Sequence, residues 1–331
     1  MSTKKWASAA VGIISVALLT ACGTGQSPAG PSVGAGAGSG PVTLGFAQVG
    51  AESGWRTANS KSIQDAAKSA GVELKFSDAQ QKQENQIKAI RSYIQQKVNV
   101  IAFSPVVESG WDTVLKEAKT AGIPVVLTDR AIDSPDKTLY KTFLGSDFIK
   151  EGRKAGEWLT KEFASASGQV SIVELQGTTG SAPANNRKKG FAEVIAADSK
   201  FSVVASQTGE FTRAKGKEVM EAFLKSQSKI DVLYAHNDDM ALGAIEAIEG
   251  AGKKPGTDIK IVSIDAVKDG MSALAEGKIN YIVECNPLLG PQLMDLVKKV
   301  AAGEQVPERI ETEETEFDQA KAKTALPQRQ Y

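Results

Sequence analysis

The chain has 331 residues, 41% of them hydrophobic, and its 39 lysine and arginine residues balance its 39 aspartate and glutamate residues. This length suits about two domains, and the absence of a basic excess argues against a nucleic-acid partner. Past the N-terminus, no apolar run is long enough to cross a bilayer.

Residues 1–21 have the pattern of a lipoprotein signal peptide. Two lysines precede an apolar stretch, and the tetrapeptide LTAC, which ends at Cys22, resembles a bacterial lipobox. The resemblance implies cleavage before Cys22 and a lipid on its sulfur; an ordinary cleaved signal is the alternative. We therefore expect a protein outside the cytoplasm, anchored by lipid to the outer face of the cytoplasmic membrane, or periplasmic.

Residues 22–41 begin with this cysteine and continue as a flexible linker rich in Gly, Pro and Ser. Cys285 is the only other cysteine, so no intrachain disulfide is expected once Cys22 is acylated. Cys285 itself is expected to be a small buried residue.

From residue 42 onward, strands and helices alternate. The first set has strands at 42–49, 72–76, 98–103 and 124–128, helices at 55–70, 83–96 and 111–121, and a crossing strand at 138–145. The second set has strands at 170–175, 201–205, 230–235, 259–264 and 281–284, with helices at 148–162, 182–197, 212–224, 240–248, 271–275 and 292–301. Strict alternation predicts βαβ units and parallel sheets, here an α/β fold of two similar lobes.

The loops after the strands carry polar and aromatic side chains. They hold Gln48, Glu52, Ser53, Trp55, Arg56, Asp129, Arg130, Thr178, Ser181, Arg187, Phe211, Asn237, Asp238, Asp265, Glu284 and Asn286. Open α/β sheets bind ligands just outside the carboxyl ends of their strands. Carboxylates and amides accept hydroxyl protons, guanidinium groups donate paired hydrogen bonds, and aromatic faces cover the apolar side of a ring. This combination predicts a sugar site.

Each candidate has a simpler structural alternative. Asp129 and Arg130 could pair with each other on the surface, and Arg187 could belong to a solvated helix face. Trp55 and Phe211 could be core residues. The single histidine, His236, is expected to be a packed side chain at a strand end, and no metal or cofactor site is expected.

Several segments together resemble the ribose/galactose type of periplasmic sugar-binding protein, which serves ABC importers. They are SGWR, LTDR, ELQGTTG, RKKGF, GEFTRAKGKEVM, YAHNDDMALGAIEAI and SID. The resemblance runs from about residue 42 to the C-terminus. Among these segments SGWR and HNDDM, together with QQKQENQIKAIRS, are most similar to galactofuranose-binding members of the family.

The resemblance implies two Rossmann-like lobes joined by three hinge strands. The first lobe would comprise 42–146 plus 285–313, and the second 147–284 plus 314–331. It also implies which residues bind the sugar: Ser53, Trp55, Arg56, Asp129 and Arg130 from the first lobe, Arg187, Phe211, Asn237 and Asp265 from the second, and Glu284 at the hinge.

The implied function is that of a monomeric substrate-binding lipoprotein of an ABC sugar importer. It would capture galactofuranose, or a related furanose or pentose, and deliver it to a permease whose ATPase is a separate subunit. In the chain itself, no Gly-Lys pair is followed by Ser or Thr, so the phosphate-binding motif of an ATPase is absent. Neither enzymatic activity nor a cofactor is expected.

Other functions remain open as alternatives. The protein could present its sugar to a chemoreceptor. A glycosidase would use Asp129 and Asp265 as its acid pair, although Arg56, Arg130 and Arg187 are expected to keep such acids ionised, which disfavours a general acid. A sugar-responsive transcription regulator would need an N-terminal helix-turn-helix, where this chain has a lipobox and a linker.

Overall fold

A computed structural model describes residues 40–331. The expected signal peptide, the lipidation of Cys22 and nearly all of the linker therefore lie outside the described residues. Within 40–331, none of the helices has the length and apolar character that crossing a membrane requires.

Strands and helices alternate along the described chain. The strands are β1 (Thr43–Gln48), β2 (Glu73–Asp78), β3 (Val100–Phe103), β4 (Val125–Thr128), β5 (Thr142–Gly145), β6 (Val170–Gln176), β7 (Phe201–Thr208), β8 (Val232–Ala235), β9 (Lys260–Asp265), β10 (Tyr281–Glu284), β11 (Arg309–Glu311) and β12 (Glu316–Phe317). The α-helices are α1 (Gly54–Ala70), α2 (Gln83–Gln95), α3 (Asp112–Thr120), α4 (Phe148–Glu162), α5 (Ala182–Ile195), α6 (Arg213–Ser226), α7 (Asp238–Gly250), α8 (Lys268–Ala275), α9 (Gly290–Ala301) and α10 (Gln319–Ala325). Short 3₁₀ turns occupy Lys137–Leu139 and Leu326–Gln328.

The first lobe is built on a parallel sheet with strand order β11-β5-β4-β3-β1-β2. One face is covered by α1 and α9, whose Ile63 and Leu293 join a core with Leu44 of β1. The other face is covered by α2 and α3, which contribute Ile90 and Leu115 to a second core. The central strands are buried on both faces, as expected for a parallel sheet between two helical layers.

The second lobe repeats this plan with strand order β12-β10-β9-β8-β6-β7, in which only the β12 pairing is antiparallel. Helices α4 and α5 pack on one face through Leu159 and Phe191. Helices α6, α7, α8 and α10 cover the other face, with Met240 and Leu274 in their core. The predicted α/β fold of two parallel-sheet lobes is confirmed.

Beyond shifts of a few residues at the ends of elements, three details differ from the sequence-based expectation. The strand predicted at 138–145 begins at Thr142, because the Asp136 side chain accepts from Thr138 N and starts a 3₁₀ turn. That strand is an internal member of the first sheet, between β4 and β11. The short strands β11 and β12 and helix α10 were not predicted.

The chain passes between the lobes three times. The first passage lies between β5 and α4, the second between β10 and α9, and the third between β11 and β12. All three passages are short, so they keep the carboxyl edges of the two sheets facing each other.

Candidate functional site

A small cavity lies between the carboxyl edges of the two sheets. It is lined by Glu52, Ser53, Trp55, Arg56, Asp129, Arg130, Phe148, Pro183, Arg187, Phe211, Asn237, Asp265 and Cys285. Both lobes contribute, because the lining residues lie at the ends of strands of both sheets, in the loops after those strands, or in the helices that follow. Polar and aromatic side chains from two walls around one small cavity suit a small ligand rather than a polymer.

The first-lobe wall is a buried network of two arginines and two acids. Arg56 Nη2 donates to Asp129 Oδ2 at 2.5 Å, and Arg56 Nε donates to Glu52 Oε1 at 3.3 Å. Arg130 Nη2 donates to the same Glu52 oxygen, and its Nε lies 3.7 Å from Asp129 Oδ2. Burial opposes the charge on Arg56, yet Asp129 and Glu52 outweigh it and raise the pKa of Arg56.

Arg130 is in a different electrostatic position. Burial lowers its pKa, and the nearby guanidinium groups of Arg56 and Arg187 add to this effect against the attraction of Glu52 and Asp129. A buried guanidinium close to two others favours any additional acceptor.

The second-lobe wall is organised around Arg187. Its Nε donates to Glu151 Oε2 at 2.7 Å, and its Nη1 donates to the His236 carbonyl at 2.6 Å. Asp265 lies farther away, with its Oδ1 3.6 Å from Arg187 Nη2. Burial raises the pKa of Asp265 well above its ordinary value despite that arginine, the opposite direction to the one expected from its flanking arginines.

Aromatic side chains lie against these guanidinium groups. The Phe211 ring centroid is 5.3 Å from Arg130 Cζ and 6.0 Å from Arg187 Cζ, so this ring bridges arginines of both lobes. Gly177 leaves the space for that ring, since a Cβ at this position would lie 1.9 Å from it. Across the cavity, Trp55 donates its indole N–H to the Cys285 carbonyl at 2.6 Å.

Three residues of the cavity wall have a strained backbone. Asp129, Phe211 and Asp265 have φ values of 62°, 61° and 119°, in the region that side chains with a Cβ rarely adopt. Such residues persist only when their surroundings hold them, and they cluster at ligand sites.

Two charged groups in the wall have unused hydrogen-bonding capacity. Glu52 Oε2 and Arg130 Nε are buried and have no hydrogen-bond partner among residues 40–331. A buried polar atom without a partner costs roughly 1–3 kcal/mol. The same wall therefore offers a polar ligand one hydrogen-bond acceptor and one donor.

Nine of the ten residues implied to bind sugar lie together in this lining. They are Ser53, Trp55, Arg56, Asp129, Arg130, Arg187, Phe211, Asn237 and Asp265. Ser53 and Asn237 also cap helices, accepting from Arg56 N at 3.1 Å and from Met240 N at 3.0 Å. The alternative of a surface pair between Asp129 and Arg130 is wrong, because both are buried.

Glu284 is the exception, because the structure does not bring it to the cavity. Its Oε1 pairs with Arg329 Nη1 and accepts from the Tyr331 hydroxyl, both at 2.8 Å, and its Oε2 accepts from Thr315 N at 2.8 Å. Residues of the C-terminal segment therefore occupy both oxygens of this carboxylate. Asp238, which also follows a strand, is likewise occupied by Ser263 and by Val267 N.

Four lining residues were not among the implied sugar contacts: Glu52, Phe148, Pro183 and Cys285. Glu52 had a usable signal, since it belongs to the first polar loop. Phe148 is the first residue of α4 and reads as an ordinary apolar helix residue. His236 is buried beside Glu174, as expected of a packed side chain, with its Nε2 3.1 Å from Glu174 Oε1.

The lobes also touch each other outside the cavity lining. Gly54 N, at the start of α1, donates to Asp239 Oδ2 of α7 at 2.8 Å. At the opposite rim, Glu108 N donates to the Gly180 carbonyl at 2.9 Å, and the Glu108 carboxylate accepts from Asn185. The structure is therefore a closed form, with direct hydrogen bonds between the lobes.

Comparison with known proteins agrees with this architecture. The galactofuranose-binding protein YtfQ of Escherichia coli (strain K12) is 49% identical over 273 residues, covering 82% of this chain and 85% of that protein. A Mycobacterium smegmatis crystal structure in complex with β-D-fucofuranose is 69% identical, with a TM-score of 0.87, covering 88% of this chain and 95% of that one.

A third relative is the periplasmic binding protein of the arabinose ABC transporter from Shewanella sp. ANA-3, bound to α- and β-L-arabinofuranose. It is 50% identical with a TM-score of 0.84, covering 87% of this chain and 96% of that one. YtfQ and the Shewanella protein are described as binding proteins rather than enzymes, and the periplasmic binding protein family implies a location outside the cytoplasm. Residues 44–305 match the periplasmic binding protein domain, and the chain belongs to that family.

Proposed function

We propose that this protein is the extracytoplasmic substrate-binding component of an ABC sugar importer. It captures a monosaccharide in the furanose form, galactofuranose or a related furanose or pentose, and delivers it to the permease. The observation that carries the proposal is the cavity between the lobes, where three arginines, their acids and Phe211 face one small volume. Relatives of about half identity or more are described with furanose sugars.

The charges of the wall favour a neutral polyhydroxylated ligand. Arg56 and Arg130 are paired with Glu52 and Asp129, and Arg187 is paired with Glu151. A phosphate or carboxylate ligand would compete with these acids at close range. A hydroxyl group can instead donate to Glu52 Oε2 and accept from Arg130 Nε, two polar atoms of this wall that have no hydrogen-bond partner among residues 40–331.

Capture follows from contacts with both lobes. A sugar that bonds to Arg130 on one side and Asp265 on the other interacts fully only when the lobes are together. Its affinity for the closed form is then higher than for an open form, and this difference shifts the population toward closure. Three short passages between the sheets are the hinge about which this motion occurs.

Isothermal titration calorimetry of the purified protein tests the ligand class. Galactose, arabinose, fucose and ribose each contain some furanose form in water, whereas glucose contains almost none and serves as the control. We expect heat from at least one of the first four sugars and none from glucose. If only the furanose binds, the apparent Kd exceeds the intrinsic one in inverse proportion to the furanose fraction. No heat with any pentose or hexose contradicts the proposal.

We further propose that the protein is a monomer tethered through a lipid on Cys22. The tether keeps the binding protein close to its permease, which raises the effective concentration of the partner. Replacing Cys22 with alanine should move the protein from the membrane fraction to the soluble fraction. Retention of the variant on the membrane would contradict the anchor.

Two alternative functions are distinguished by direct assays. Turnover of an aryl glycoside that Asp129→Asn abolishes would support a glycosidase, and the raised pKa of Asp265 makes this assay worthwhile. Delivery to a chemoreceptor is separated from transport by deleting the gene and measuring sugar uptake and taxis. Loss of uptake supports the importer.

A further inference from the structure

The three chain passages between the lobes meet at one buried point. Ser146, in the first passage, places its Oγ 3.3 Å from Cys285 Sγ of the second and 3.2 Å from Thr312 Oγ1 of the third. It also hydrogen-bonds to Glu314 Oε1. Glu151 of α4 completes the group.

Three of these side chains offer ligand atoms at close range. One ligand atom from each of Glu151, Cys285 and Glu314 lies within 4.8 Å of the other two. Among residues 40–331, no other three His, Cys, Asp or Glu side chains bring such atoms this close together. Glu151 and Cys285 are buried, and Glu314 is partly buried. A set of two carboxylates and one thiol matches the ligands of a borderline-soft divalent metal.

An independent observation points to a ligand here. Glu151 is 1% exposed, and its Oε1 has no hydrogen-bond partner in the described chain, while its Oε2 accepts from Arg187. A buried carboxylate oxygen without a partner is costly, and a metal ion would satisfy it. Arg187 then orients Glu151 from behind, as outer partners of metal-binding carboxylates do.

A second cavity gives access to this group from outside the sugar cavity. Its lining includes four carboxylates, Glu151, Glu311, Glu313 and Glu314, and two lysines, Lys150 and Lys154. Both lysines are already paired, Lys150 with Glu311 at 3.2 Å and Lys154 with Glu316 at 3.0 Å. Carboxyl groups therefore outnumber lysines two to one along this approach, which favours a cation over an anion.

We propose that Glu151, Cys285 and Glu314 bind one divalent transition-metal ion, zinc fitting the ligand set best, at the junction of the three passages. The ion binds the Cys285 thiolate and one oxygen from each carboxylate, and protons held by these groups are released to solvent. A thiolate ligand selects zinc or cobalt over magnesium and calcium. Because its ligands come from two passages and from the start of α4, the bound ion ties the hinge together.

Cobalt is the probe that tests the site. The full-length chain carrying Cys22→Ser keeps Cys285 as its only thiol. Titration with Co²⁺, without sugar, should give one saturable equivalent with a thiolate-to-cobalt absorption band in the near ultraviolet, and Zn²⁺ should remove the band by competition. Saturable binding without that band, or no saturable binding, overturns the proposal.

Matched variants assign the ligands. In the same background, Cys285→Ser should abolish the band and Glu314→Gln should weaken cobalt binding by about tenfold or more. Glu313→Gln, an exposed neighbour in the same cavity, should leave it unchanged. Thermal unfolding of each variant confirms that it is folded; a folded Cys285→Ser protein that binds cobalt as before overturns the proposal. Because no sugar is used, failure here leaves the sugar titration untouched.

Discussion

At the scale of single residues, the sugar cavity is held by arginines that are already committed to protein partners. Arg130 is the least satisfied of them, because its Nε has no partner among residues 40–331 and its pKa is lowered by burial. Glu52 positions this residue, but its Nε donor has no acceptor in the described chain. It is therefore where a ligand gains most from binding.

Replacing Arg130 with alanine should weaken sugar binding by about 2 kcal/mol or more, since charge-assisted hydrogen bonds are lost and Glu52 keeps a buried charge with fewer partners. Calorimetry with the sugar that binds the parent protein measures the change. Arg91→Ala is the matched control, because Arg91 also pairs with an acid, Glu117 at 2.8 Å, but on the exposed surface. Equal affinity in the Arg130 variant and the control would show that the cavity is misassigned.

His236 predicts a pH effect on stability. It is fully buried, and burial lowers its pKa although Glu174 opposes this. The unfolded state therefore binds a proton more readily, so the contribution of His236 is present above about pH 6.5 and is lost as the pH falls below it.

In His236→Gln, the fall in unfolding free energy between about pH 7.5 and 5.5 should be smaller than in the parent protein. Urea unfolding at both pH values gives the comparison. The difference between the two proteins is the readout, because Asp238, whose pKa burial raises to about 7, acts in the opposite direction in both. A difference that does not change with pH contradicts the role given to His236.

At the scale of elements, the strand–loop–helix unit explains why the cavity has two walls. In each unit a buried strand ends, and a polar residue such as Ser53, Ser181 or Asn237 then caps the helix that follows. The cap fixes the direction in which the helix starts. The side chains around it are therefore presented at the sheet edge, and Arg56 and Arg187 project from the first and second turns of their helices.

Helix α7 also provides a contact that exists only when the lobes are together. Asp239 accepts from Gly54 N at the start of α1, where the helix dipole favours a negative charge. Asp239→Ala should raise the Kd for sugar by about tenfold, because the closed form loses one charge-assisted hydrogen bond.

Asp269→Ala is the control for this prediction. Asp269 shares Arg213 with Asp239, at 3.0 Å and 3.5 Å, but belongs to α8 and is exposed. Calorimetry on both variants should show a change only for Asp239. A similar change in both would assign the effect to Arg213 rather than to contact between the lobes.

At the scale of the whole molecule, three short passages and two rim contacts define the closed form. The rim hydrogen bonds, from Gly54 to Asp239 and from Glu108 to Gly180, lie outside the cavity lining. They stabilise the closed form regardless of which ligand is bound. Sugar contacts supply the remaining stabilisation that makes closure depend on the ligand.

Adding the bound sugar should reduce the radius of gyration in solution, because the open and closed forms differ by a rotation of whole lobes. Small-angle X-ray scattering with and without sugar measures this. Glucose, expected not to bind, is the control. An unchanged radius, with binding shown by calorimetry, would mean that the lobes are already closed before the ligand arrives.

Much of the fold was predictable because its signals are local. Buried strands appear as apolar runs, helices as periodic patterns with polar caps, and α4 and β10 were predicted with the bounds that the structure shows. Strands β11 and β12 were not, because three and two residues carry no periodic pattern. Their place depends on pairing with β5 and β10, which lie far from β11 and β12 in the chain.

By itself, the sequence determined the order of elements and the polar loops that meet at the sheet edges, since turn and cap chemistry depends on neighbouring residues. Only the tertiary structure decided that Glu284 turns to Arg329 and Tyr331, and that Asp265 is buried with a raised pKa. It alone also brought Cys285 beside Ser146. These outcomes depend on burial and on contacts between distant segments, which local patterns do not encode.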